Sequence, residues 1–184
     1  MVARLIVLNG PPAIGKSTLA RRYVDDHPLA LDLDIDSIRR LLGRWRDDPT
    51  RAGLLARAMT LTMAGEHLAN GYDVVLPQYL GKPQFLEQAE AVAADAGASF
   101  FEFVLMDDRD EVVRRFNART SAAVTPADVD AGQLVARLGG NDTLFAMYDR
   151  LLLLISARPG TQVVQCPEGA ADAVYRELRR RLDG

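Results

Sequence analysis

Eight residues near the start of the chain, Gly10-Pro11-Pro12-Ala13-Ile14-Gly15-Lys16-Ser17, place a glycine, a second glycine and a Lys-Ser pair in the spacing G-x-x-x-x-G-K-[ST]. Each fixed position answers a need of polyphosphate chemistry. A triphosphate requires several converging backbone N–H donors, and a main chain bends closely around an anion only where glycine sits at the bends. A helix starting at the end of the loop adds its free N–H groups and positive dipole end. Lys16 can then carry a mobile charge to the β- and γ-phosphates, and the Ser17 hydroxyl can ligate Mg²⁺. Gly10, Ala13, Ile14, Gly15, Lys16, Ser17 and Thr18 are therefore the expected nucleotide-binding residues, with ATP and Mg²⁺ as the expected cofactors.

A second group of reactive side chains follows at Asp36 and Arg39. If the sheet is parallel, the carboxyl ends of its strands gather around a ligand crevice. Asp36 can there accept the proton of an attacking hydroxyl, and Arg39, one turn later, can hold an anionic or polar part of an acceptor. On spacing alone, Asp36 serves equally well as a helix cap and Arg39 as a solvated charge. Alternation places Asp34 on the same face as Asp36, with Leu31 and Leu33 on the other, so Asp34 is a candidate metal ligand or base. From Asp36 to Arg57, six arginines face three aspartates around Trp45, the only tryptophan. That stretch is an acceptor-binding wall with a stacking indole, or a solvated helix face with Trp45 in the core.

The elements that must position these groups alternate. Leu5–Leu8, Leu29–Leu33, Asp73–Leu76, Ser99–Met106 and Thr161–Gln165 read as strands. Gly15–Val24, a segment from about Asp36, Arg51–Ala69, Pro83–Ala96, Asp110–Arg119, Asn141–Ala157 and Ala170–Leu182 read as helices. Leu54, Leu55, Met59 and Leu61 are the expected core of the Arg51–Ala69 helix, and Thr120–Asp130 is expected to be a polar loop. Asp108 and Asp110 suit helix capping better than metal binding. Strands alternating with helices imply βαβ units, hence an α/β fold with a parallel sheet covered on both faces. With 184 residues, no repeat and no linker-like tract, one domain spanning 1–184 is expected.

Composition narrows the function. A net charge of −3 argues against a nucleic-acid surface, and one cysteine, Cys166, excludes an internal disulfide. No apolar run approaches the ~20 residues of a membrane span, and no signal peptide is apparent, so a cytoplasmic protein is expected. Neither D-x-x-G nor N-K-x-D, the marks of a GTPase, occurs.

The run LIVLNGPPAIGKSTLARRY, with DIDSIRRLL after the second strand, resembles the small ATP-dependent kinases of the P-loop superfamily. That group includes polynucleotide 5′-kinases, zeta-toxin-like kinases and chloramphenicol phosphotransferases, with an AAA-type ATP-binding domain. The resemblance implies a P-loop NTPase three-layer sandwich, a five-stranded parallel sheet in order 2-3-1-4-5, and an arginine-bearing lid. It maps the family's catalytic base and substrate-binding arginine onto Asp36 and Arg39. It maps the lid's R-x-x-x-R onto Arg115 and Arg119, whose charges would neutralise the transferring phosphoryl group beside Lys16. Many relatives carry an acid after the third strand. This chain has Gln78 there, which can contact the acceptor, and the metal site leans on Ser17 and Asp34. The implied activity is transfer of the γ-phosphoryl group of ATP to a hydroxyl of a small molecule or nucleotide-like acceptor. Nucleic acid is the less favoured acceptor. The rival reading is an ATP-binding module that hydrolyses little and acts through a protein partner.

Overall fold

A computed structural model describes residues 2–184 of the 184-residue chain. Its frame is a five-stranded sheet in order β2-β3-β1-β4-β5 with every pairing parallel. The strands are β1 (Arg4–Asn9), β2 (Leu31–Asp32), β3 (Val74–Pro77), β4 (Ser99–Met106) and β5 (Gln162–Gln165). The helices are α1 (Lys16–Asp26), α2 (Ile35–Leu41), α3 (Pro49–Ala69), α4 (Pro83–Asp95), α5 (Arg109–Ala122), α6 (Pro126–Leu138), α7 (Asn141–Ala157) and α8 (Ala171–Asp183).

The unbroken apolar runs of the central strands reflect burial on both faces. Leu5 and Val7 of β1 point into one cluster with Val74, Leu76, Val104 and residues of α3, α4 and α7. Ile6 and Leu8 point into the other, with Val75, Phe103, Leu105 and residues of α1 and α8. A third, small cluster joins Val113 and Phe116 of α5 to Leu144 of α7, with Ala13 of the glycine loop against it. Three layers result, and the ends of β1, β2 and β3 open on one edge. This is the expected α/β P-loop sandwich with order 2-3-1-4-5.

Four expectations need correcting. β2 is two residues long, because Leu29 adopts a positive φ of 62° and the chain cannot extend until it has passed that turn. Leu54, Leu55 and Met59 are exposed. The core face of α3 is instead Ala52, Ala56, Thr60, Ala64 and Leu68, and the first four are small side chains that let the helix approach closely. Thr120–Asp130 is not a loop. α5 runs to Ala122, and α6 begins at Pro126 behind a capping box in which Thr125 and Asp128 bond reciprocally. Trp45 is only partly buried, with the Arg39 and Arg46 guanidiniums 4.7 and 4.4 Å from its ring centre.

Candidate functional site

Between β1 and α1 the backbone turns through positive φ at Gly10 (143°), Ala13 (64°) and Gly15 (106°). A side chain at Gly10 would put Cβ 2.5 Å from the Leu105 carbonyl oxygen, so only glycine fits. The loop is anchored from below by Asn9, which is fully buried. Its Oδ1 accepts from Gly10 N–H (2.7 Å) and Leu80 N–H (2.8 Å), while its Nδ2 donates to the Leu80 carbonyl (2.9 Å). One amide thereby locks the start of the glycine loop to the segment leaving β3.

Lys16 opens α1, and its Nζ donates to the carbonyls of Gly10 (2.9 Å) and Pro11 (2.7 Å). Burial of this ammonium lowers its pKa to about 7; the nearby Arg119 charge pushes the same way, and Asp36 and Asp34 oppose it. Four of the residues expected to do chemistry thus share one electrostatic neighbourhood. Ser17 and Thr18 are exposed in the first turn of α1.

On the other side of the crevice, α2 is capped by Asp34, not Asp36. Its Oδ1 accepts from Asp36 N–H (2.9 Å) and its Oδ2 from Ser37 Oγ (2.8 Å), with Arg40 at 3.7 Å. Both oxygens of Asp34 are engaged in capping the N-terminus of α2. Asp36, relieved of capping, lies in the first turn and pairs with Arg39 at 3.1 Å. Asp36, Arg39 and Gln78 line one cleft of about 260 Å³, together with Thr50, Leu54 and Arg57 of α3. Burial, with Asp34 nearby, raises the pKa of Asp32.

The two arginines of the R-x-x-x-R segment separate. Arg115 is largely buried; it donates to Asp107 Oδ2 (3.1 Å), the Cys166 carbonyl (2.8 Å) and the Ile14 carbonyl (3.1 Å). It braces the glycine loop from behind, at a position where the resemblance implies a lid arginine. Arg119 is half exposed and pairs with the buried carboxylate of Asp128. Asp108 stands at the N-cap of α5, yet its side chain makes no cap bond.

Among the described residues no cluster of three or more His, Cys, Asp or Glu side chains can cage a metal. The donor set still suits Mg²⁺, which takes one or two protein ligands and completes its shell with phosphate oxygens and water. The exposed Ser17 hydroxyl is the protein ligand available for that arrangement.

The sequence profile of the family described as "AAA domain" matches residues 5–138, well over half of the chain. The chain belongs to this AAA-domain family. Solved structures share the fold of this AAA-domain chain. APS kinase of Mycobacterium tuberculosis, in complex with AMPPNP and APS, is 18% identical, covers 99% of this chain and 98% of its own, and superposes with a TM-score of 0.63. The tunicamycin resistance protein of Deinococcus radiodurans is 12% identical over 98% and 95%, with a TM-score of 0.61. A gluconokinase of Sinorhizobium meliloti 1021 is 16% identical over 98% and 96%, with a TM-score of 0.56. No curated protein matches the sequence significantly. The AAA-domain fold here is therefore one shared with an APS kinase and a gluconokinase, and no helix among the described residues is long and apolar enough to cross a membrane.

Asn9, Thr50 and Arg57 join the site without having stood out in the sequence. Asn9 precedes the first fixed glycine, and a polar residue ending an otherwise apolar strand is a signal that can find it. Arg57 reads in the sequence only as one of the basic residues of its stretch, because helix–cleft contacts depend on the packing angle of α3.

Proposed function

We propose that the chain is a phosphotransferase that moves the γ-phosphoryl group of ATP to a hydroxyl of a small-molecule acceptor. One observation carries this reading. A carboxylate, Asp36, lines a cleft of its own and lies within electrostatic reach of the loop lysine. A module that only binds nucleotide has no need of a second cleft holding a carboxylate and an arginine one turn apart.

In this reading the loop amides and the N-terminus of α1 hold the triphosphate. Lys16 leaves the Gly10 and Pro11 carbonyls for the β- and γ-phosphates. Ser17 would hold a Mg²⁺ ion together with the phosphates, and the ion would supply neutralisation of the polyphosphate's charge. Asp36 takes the acceptor's hydroxyl proton, and Arg39 and Gln78 orient the acceptor. Arg119, once released from Asp128, adds positive charge beside the transferring group. Arg115 holds the loop's shape.

Asp36→Asn tests the assignment. Binding of ATP, measured by calorimetry, is expected to survive within a factor of about three, while transfer falls by about 10²–10⁴. Unimpaired transfer in this variant removes Asp36 from the mechanism.

A further inference from the structure

The cleft beside the loop has a chemical signature of its own, and it rests on the phosphotransferase reading above. Three elements wall it: α2 with Asp36 and Arg39, α3 with Thr50, Leu54 and Arg57, and the segment after β3 with Gln78. Thr50, Leu54 and Arg57 recur at helical spacing, which places them on one face of α3. Two buried polar atoms of these residues lack protein partners. Arg39 Nε–H is a donor with no acceptor, and Gln78 Oε1 is an acceptor with no donor. Buried groups of this kind are normally paired, so an acceptor that shifts the two side chains as it enters the cleft can supply their partners.

The charges are unequal. Asp36 is offset by Arg39, whereas Arg57 forms no ion pair with any described carboxylate and leaves the cleft net positive. The Arg39 guanidinium is further fixed against the Trp45 ring. A volume of about 260 Å³ falls below the roughly 300–1,000 Å³ of sites that bury drug-sized ligands.

We infer that the acceptor is a small hydroxylated oxyanion, bearing a carboxylate, a phosphate ester or a sulfate ester, and that Arg57 is its second cationic contact. Its oxyanion takes Arg39 Nε–H and Arg57, one of its hydroxyls donates to Gln78 Oε1, and Leu54 covers its carbon skeleton. The reacting hydroxyl oxygen forms a bond to the γ-phosphorus. The bond from that phosphorus to the β,γ-bridging oxygen breaks, ADP leaves with the electron pair, and the hydroxyl proton passes to Asp36. Neutral polyols satisfy Gln78 but leave the Arg57 guanidinium without a counter-charge.

Trp45 is the sole tryptophan and stacks on Arg39, so its fluorescence reports anion entry without catalysis. With the full-length chain saturated in ADP, titration with inorganic sulfate is expected to change Trp45 emission saturably, and Arg57→Gln to weaken that binding about tenfold or more. ADP release from MgATP is then measured with hydroxy acids, phosphorylated and sulfated polyols, and their neutral counterparts. The anionic set is expected to exceed the neutral set by about a hundredfold in kcat/KM, with Arg57→Gln acting mainly through KM. Which anionic class leads separates carboxylate from phosphate and sulfate. Sulfate binding indifferent to Arg57→Gln, or neutral polyols turned over as well as their charged counterparts, overturns the oxyanion site and leaves the phosphotransferase standing. Tight ATP binding with sulfate held by Arg57 but no transfer to any compound overturns the phosphotransferase reading, and the acceptor role with it.

Discussion

Among single residues, the Lys16 ammonium is the most sensitive to its surroundings. Burial brings its pKa to about 7, against 10.5 for a solvated lysine. A bound polyphosphate favours the charged form, so the complex holds a proton that the unliganded chain has lost above neutral pH. Affinity for ATP is therefore expected to fall as pH rises beyond about 7.5, by about tenfold per unit, with close to one proton taken up per nucleotide. Calorimetry in buffers of different ionisation enthalpy measures that uptake, and an affinity flat from about pH 7.5 to 9 contradicts it. The same shift bears on stability. Between pH 7 and 10.5 the unfolded chain binds more protons at this lysine than the folded one, so stability rises with pH across that window. Below it the buried charge is a standing penalty. Lys16→Met is expected to stabilise the fold at neutral pH and to lose that advantage as pH approaches 10.5, as denaturant titrations at several pH values can record.

At the scale of elements, the glycine loop keeps its shape because Asn9 connects β1 to the chain leaving β3. Asn9→Ala removes three hydrogen bonds and leaves the Gly10 and Leu80 amides unpaired inside the fold. The expected cost is about 3 kcal/mol, from the desolvation of those groups, read as a lowered urea midpoint. Asn9→Asp, which keeps the acceptor, is expected to lose less. Most elements are legible in the sequence alone, because continuous apolar runs and Gly or Pro stops are local signals. The glycine loop is the clearest, since its chemistry depends on consecutive residues. α6 escapes such a reading although Thr125, Pro126 and Asp128 spell a helix start; the same residue types also make loops, and only the buried Asp128 decides between the two. Asp34 and Asp36 differ by two positions, and which one caps α2 is settled by where the helix begins, a detail finer than periodicity resolves. The split between Arg115 and Arg119 depends on the rotation of α5 against β5, which no short window of sequence encodes.

Across the whole molecule, stability is unevenly distributed. The central strands are sealed on both sides, whereas α6 buries little beyond the Asp128 side chain and is bounded by positive φ at Ala123, Gly139 and Gly140. Arg119 and Thr125 hold the Asp128 carboxyl below its ordinary value of 3.8 despite its burial. That stabilisation is present above about pH 4 and is lost as the pH falls through the lowered value. Asp128→Asn is expected to speed hydrogen exchange of the α6 amides about tenfold while leaving β1 and β4 unchanged, since the two regions open independently. Uniform acceleration across the sheet contradicts that independence. A last consequence concerns Cys166, whose buried Sγ donates to the Ile14 carbonyl at 3.1 Å. Because burial keeps this thiol protonated and its Sγ is bonded to the loop backbone, an opening of the phosphate cradle is one route by which an oxidant or alkylating agent reaches sulfur. An adduct fixed there would stand where the loop must close, so chemical damage at a residue outside the proposed chemistry would disable nucleotide capture as surely as loss of the lysine.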